Sequence, residues 1–251
     1  MVGAFARDIL QEQIFGGQRG IHTKDIDVGI LLPDWVAYEK VIAELTQQRG
    51  FRPGKLVHEF YSPNNIQTDI LPFGRVERQR SISFPAAPHF GINMMGFAEA
   101  WEHKLTVVID DKQEINIPSA AGIVLLKLIA WSDRQPQPVA AKHLIDIGEL
   151  LDAYYFGTYD QISTDPDYAD VYDVLGDDIL PHLHSAVVIG RQLCEITAGY
   201  PETRTMLLRL MEVILAGPGP KDVIGTLSRA LGADESTARR VIELMRNEIA
   251  K

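Results

Sequence analysis

A single cysteine, Cys194, stands among 251 residues, so no internal disulfide can form. No apolar run reaches the ~20 residues that a membrane-spanning helix needs, because Arg, Lys, Asp or His interrupts each one. No basic-then-apolar leader opens the sequence. Together these absences lead to the expectation of a cytoplasmic protein with no membrane partner. Positive charge is also short. Against 34 Asp and Glu there are 24 Lys and Arg, a net charge of -10. That disfavours non-specific nucleic-acid binding by the whole surface but allows a local basic groove. The seven histidines include no HExxH pair. His182 and His184 are two apart in a predicted helix and face different ways, so zinc is not expected there. Cys194 lacks a neighbouring nucleophile motif and is expected in the core.

What is present is an ordinary globular composition, 46% hydrophobic and 23% charged, without repeats or low-complexity tracts. The first half mixes strand and helix signals. "ARDILQEQIF" has helical spacing, "DIDVGILL" reads as a β-branched strand, and "PDWVAYEKVIAELTQQRG" reads as a helix stopped by Gly50. "KLVHEFYS" and "NIQTDILPF" predict a hairpin around "PNN", and "TVVID" and "EINIPS" a second one around "DKQ". From Ser119 onward the periodicity is helical, beginning with "SAAGIVLLKLIAW" capped by that serine and then "PVAAKHLIDIGELLDAYY". Residues 159–178 read as acidic and irregular, and further helices are predicted near 180–197, 201–215, 220–231 and 234–250. The expected class is α+β: a mixed sheet with flanking helices over 1–118, then an all-helical domain over 119–251 that walls one side of a cleft.

Asp25 and Asp27 sit one residue apart on the first apolar strand, so their side chains share a face. Two adjacent buried carboxylates are costly unless something positive lies between them. Asp69, in "TDILPF", is a third acid on an apolar strand. If the two strands are neighbours, three carboxylates converge, a donor set suited to a hard divalent ion such as Mg2+ or Mn2+. Such ions clamp the attacking and leaving oxygens of a phosphoryl displacement. Upstream, "MVGAFARD" reads as a strand ending in Gly-small before a helix start, where backbone N–H groups favour anions. A solvated hairpin would be the bland reading of the acids, and a snorkelling lysine that of Lys127.

In order, "VGA-x-ARD", "T-x-DID", "TDILPFG", "LLKLIAW-x-DR" and "K-x-x-x-D" resemble the AbiEii/AbiGii toxin nucleotidyltransferases of the DNA polymerase β-like superfamily. The resemblance spans about residues 2–150. It implies a polymerase-β-like mixed sheet and transfer of a nucleoside monophosphate from a nucleoside triphosphate to a hydroxyl acceptor, a tRNA 3′ end or a protein. It implies an antitoxin as a further partner. Position by position, it implies that Gly3 and Ala4 cradle phosphate, with Arg7 and Thr23 beside the nucleotide. Asp25, Asp27 and Asp69 would bind metal, and Asp69 would serve as base for the acceptor. Lys127 would meet the triphosphate, with Lys142 binding nucleotide and Asp146 catalytic. Ile21 stands where the family often has arginine, with Arg19 nearby, and His143 where an acid is frequent.

Met1 stands directly before Val2, which leaves the strand before the Gly3 turn very short and leads to the expectation of weak nucleotide binding. Arg75, Arg78 and Arg80 in "GRVERQR" are candidates for holding phosphates or RNA. Two other classes compete with the enzyme: a catalytically weak or inactive nucleotide-binding relative acting through a protein partner, and a DNA-binding helix-turn-helix in "LSRALGADESTARRVIELMRNEI" with Arg239 and Arg240 on its second helix.

Overall fold

The computed structural model describes residues 1–17, 25–109, 113–216 and 223–251. The chain opens with helix α1 (Gly3–Ile9), continued by a π-helical turn at Leu10–Ile14. Strand β1 (Asp25–Leu32) leads into α2 (Trp35–Gln48), whose Asp34 side chain accepts the Ala37 N–H at 2.7 Å. That cap satisfies one of the orphan donors of the first turn. Then come β2 (Arg52–Pro53), β3 (Glu59–Tyr61) and β4 (Gln67–Gly74). β1 and β4 run parallel with α2 in the crossover, while β3 folds back antiparallel on β4. The resulting sheet has the order β1-β4-β3-β2. Both expected hairpins are present, the first as β3 with β4 and the second within Lys104–Pro118.

Beyond this sheet lie the hairpin β5 (Ser81–Phe84) and β6 (Ala87–Asn93), the short helix α3 (Phe97–Glu102), and the hairpin β7 (Lys104–Ile109) and β8 (Gln113–Pro118). The "DKQ" turn of the last pair lies partly outside the described residues. The β5–β6 hairpin and α3 were not expected. Pro85, Pro88 and Gly91 make this stretch read as loop, yet Ile82 and Phe84 are fully buried and anchor it.

Among the described residues, the second half is built of helices. α4 (Ala120–Asp133) is capped by Ser119, which accepts the Gly122 N–H at 3.2 Å. It is apolar on nearly all sides, as a central helix should be, with Leu125, Leu128 and Ile129 buried as its spacing predicts. α5 (Ala140–Thr164), α6 (Val171–Leu175), α7 (Pro181–Ile196), α8 (Pro201–Leu215), α9 (Val223–Leu231) and α10 (Glu235–Ile249) pack around it. Residues 159–178 are more regular than their composition suggests. α5 runs on to Thr164, a 3-10 turn covers Pro166–Tyr168, and buried Ile162, Val171 and Leu175 pin the segment.

Among the described residues, buried hydrophobics form two clusters. Tyr38, Phe60, Ile70, Phe73, Ile82 and Phe84 make the smaller one, around the sheet. The larger fills the helical half and also takes in Ala6 of α1 and Leu10 of the π-helical turn, so the first helix packs with the second half. α10 buries Ala238, Val241, Ile242, Leu244, Met245 and Ile249, and Arg239 donates to the Leu215 carbonyl at 2.6 Å. Its outer face carries Glu235, Arg240 and Glu243, a mixed-charge surface that lacks the basic character a DNA groove selects, which weighs against the helix-turn-helix reading. Cys194 is half-buried rather than in the core, with the Arg204 guanidinium 3.1 Å from its sulfur.

Candidate active site

The parallel register of β1 and β4 sets Asp27 beside Asp69. Asp25 lies two residues before Asp27 and shares its face. All three line one cavity of about 650 Å³, a size usual for small-ligand sites. Burial, then the charges of Asp25 and Asp69, push the Asp27 carboxyl up to about 6, although Lys127 and Arg134 pull it down. Asp69 is also raised, chiefly by burial, against the opposing effects of a hydrogen bond from Gln67 (3.3 Å) and of His58, whose Nε2 is 3.8 Å away. The rings of Phe84 and Phe90 stack on His58 and hold it there.

Gly3 and Ala4 open α1 against these acids. Val2 bridges to Asp27, its N–H donating to the Asp27 carbonyl at 2.9 Å. Gly3 has φ +71°, and a Cβ built on it would lie 1.9 Å from Asp27 Oδ2. Only glycine lets the helix start so close to that carboxylate.

α4 and α5 supply the other wall. Lys127 from α4, Arg134 at its C-terminal cap, and Lys142 and His143 from the start of α5 all line the cavity. Arg134 lies seven residues after Lys127, two helical turns on, which brings both to one side. Its guanidinium is 2.8 Å from His143 Nε2. Burial, then Lys127 and Arg134, lower the His143 pKa to about 4, so the ring is neutral and accepts at Nε2. Lys127 is buried and its pKa is lowered by desolvation, with Asp146 opposing the shift.

Arg7 and Asp146 are arranged differently from expectation. Neither reaches the cavity wall. Arg7, 1% exposed, lies behind it and binds Asp8 (2.6 Å) and Asp146, while Asp146, 2% exposed, also binds Lys127. Physically the reason is charge balance: each buried cation needs a partner, and α1, α4 and α5 meet at this point. Arg7 and Asp146 thus lie behind the wall as partners of each other, and Asp146 joins them to Lys127. Thr23 lies outside the described residues. Of the arginines after β4, Arg75 and Arg78 are exposed, whereas Arg80 pairs with the buried Glu99 and is not free to hold RNA.

The oxygen donors of Asp25, Asp27 and Asp69 have the chemistry of a Mg2+ or Mn2+ site, and a cation there would offset the burial and the neighbouring charges that raise the Asp27 carboxyl. Among the described residues, however, no three His, Cys, Asp or Glu side chains close on one another tightly enough to enclose an ion. His182 belongs instead with Asp152 (3.5 Å), and His184 with the ring of Tyr155.

The family model "Nucleotidyl transferase AbiEii toxin, Type IV TA system" matches residues 22–172, more than half of the chain. The chain belongs to the AbiEii family. The matched stretch carries Asp25, Asp27, Asp69, Lys127, Lys142 and Asp146, while Gly3, Ala4 and Arg7 precede it. No curated protein and no solved structure matches the chain. AbiEii membership agrees with the α+β architecture and its helical second half. No described helix is long and apolar enough to cross a membrane.

Sequence reasoning gave Arg134 no role and treated His143 only as a departure. The signal for Arg134 was its seven-residue spacing from Lys127, and for His143 its place one helical turn inside α5.

Proposed function

We propose that this AbiEii-family chain binds a nucleoside triphosphate together with Mg2+ or Mn2+ and transfers the nucleoside monophosphate to a hydroxyl acceptor, a tRNA 3′ end or a protein. The observation that carries this reading is one cavity lined by Asp25, Asp27 and Asp69 from the sheet and by Lys127, Arg134 and Lys142 from α4 and α5. Acids for a cation and cations for a polyphosphate are what positioning and charge neutralisation of phosphoryl transfer require. Asp25 and Asp27 would hold the ion, with Asp69 as third ligand, and the ion would neutralise charge on the transferred group. Lys127, Arg134 and Lys142 orient the triphosphate. Asp146 and Arg7 hold Lys127 in place, and Gly3 and Ala4 admit phosphate beside Asp27. The acceptor oxygen forms a bond to the α-phosphorus, the bond to the pyrophosphate oxygen breaks, and the acceptor proton passes to Asp69. Burial raises the Asp69 pKa, which makes it a better proton acceptor.

The cytoplasm, where triphosphates and tRNA are found, is the proposed location, and a companion antitoxin is suggested by the type IV toxin–antitoxin description of the family. A second reading, a weak or inactive nucleotide-binding relative acting through a protein partner, is favoured by the acids not closing around an ion site among the described residues. Calorimetric titration with each triphosphate, with and without Mg2+, tests the binding step. Binding that needs Mg2+ and is lost in Asp25→Asn supports the enzyme reading. Binding indifferent to both removes the metal role.

A further inference from the structure

The cavity has a third kind of wall that the acids and cations leave unused. Gly91, Ile92 and Asn93 of β6 all line it. A strand that presents a face contributes every second residue, so three consecutive ones mark an edge. Among the described residues, β5 and β6 form a sheet of two strands, which leaves β6 without a second neighbour.

Register tells which backbone groups that edge offers. The Met94 N–H donates to the Arg80 carbonyl at 2.8 Å, and the ladder continues Ser81 with Asn93, Ile82 with Ile92 and Ser83 with Gly91. Bonded and non-bonded pairs alternate along an antiparallel ladder. Arg80 with Met94 and Ile82 with Ile92 are therefore the bonded pairs. Gly91 and Asn93 turn their N–H and C=O groups away from β5, and both residues line the cavity. The Asn93 side chain is already engaged: its Oδ1 accepts the Met95 N–H at 3.0 Å, and its Nδ2 donates to Asp133 Oδ1 at 3.2 Å. That second bond ties the edge to the end of α4. Phe97 and Met95 add apolar surface beside it.

A ligand that suits this wall has flat apolar faces and a rim where donors and acceptors alternate. Nucleobases have that chemistry, and backbone donors and acceptors that go dry without partners are costly. We propose that the outer edge of β6, from Gly91 to Asn93, reads the base of the incoming nucleoside triphosphate along its Watson–Crick rim. The inference rests on the nucleotide reading above. An acceptor RNA would bring the same base chemistry, and the test separates the two sources.

The test measures Mg2+-dependent affinity of the unmodified protein for the best-bound nucleoside triphosphate, for the same triphosphate carrying a methyl on its Watson–Crick rim, and for inorganic tripolyphosphate. The rim-methylated form is expected to bind about tenfold or more weakly than its parent and close to tripolyphosphate, since two hydrogen bonds are lost. Equal binding of parent and methylated forms overturns the proposal and leaves the nucleotide reading standing. Should all three fail to bind, the nucleotide reading falls and this inference with it. A parallel titration uses a short RNA ending in the tRNA 3′ sequence with a rim-methylated terminal base. Sensitivity to methylation in that RNA alone would assign the edge to the acceptor and overturn the proposal.

Discussion

Replacing Asp27 by asparagine is expected to stabilise the metal-free protein at neutral pH while removing its function. Burial and two neighbouring carboxylates raise the Asp27 pKa from 3.8 to about 6. The folded state therefore keeps its proton to higher pH than the unfolded chain does. Stability contributed by this group is lost as pH rises from about 4 through about 6, and the full charging cost is in place above that range. That cost is about 3 kcal/mol at most. An asparagine amide must be desolvated at the same spot, so a gain of about 1–3 kcal/mol is expected, or roughly 2–12 °C in Tm for a chain of this size. The assay is thermal unfolding with chelator present, from pH 4 to pH 8, for the unmodified protein and Asp27→Asn. The difference should be small near pH 4 and level off above about pH 6. Mg2+ should then close the gap by stabilising only the protein that binds it, by about 2.7 kcal/mol at a hundredfold excess over Kd. A variant less stable than the parent at pH 7.5, or a gain that does not vary with pH, would refute the reasoning.

Gly3→Ala should impair transfer by about a hundredfold, because the added methyl would displace the Asp27 carboxylate from 1.9 Å and reacting groups tolerate little displacement; steady-state rates and the Kd for Mg2+ check it. Asp146→Ala leaves Arg7 and Lys127 buried without their shared partner and should cost about 3–5 kcal/mol, read as a lowered urea midpoint. Arg134→Met removes a nearby cation and the hydrogen bond at His143 Nε2, so the His143 pKa should rise above about 4 while burial and Lys127 still hold it below the usual 6.5; NMR of the imidazole protons follows it, and an unchanged titration would contradict the pairing.

Much of this was legible where local rules and tertiary needs agree. Asp34, Ser119 and Asp234 cap the helices that their positions predict. The acids on β1 and β4 stood out because a carboxylate in a β-branched run needs a reason. The β5–β6 hairpin was hidden by Pro85, Pro88 and Gly91, whose loop signal is overridden by burial of Ile82 and Phe84. Its role in the cavity was hidden further, since an outward-facing backbone edge has no side-chain signature. Arg7 and Asp146 were placed near the nucleotide by the family resemblance of "ARD" and "K-x-x-x-D". That the two neutralise each other behind the wall depends on three helices meeting, α1, α4 and α5, which no short stretch of sequence encodes.

The measurement that bears most directly on the central claim follows both ends of the triphosphate. Protein, Mg2+ and total tRNA are incubated with a triphosphate labelled on the α-phosphate, and in parallel with one labelled on the γ-phosphate, using the unmodified chain and Asp25→Asn. The account predicts that the α label becomes attached to an acceptor, RNA or protein, that the γ label leaves in pyrophosphate, and that Asp25→Asn does neither. Transfer of the γ label, or α-label transfer that persists in Asp25→Asn, would contradict it.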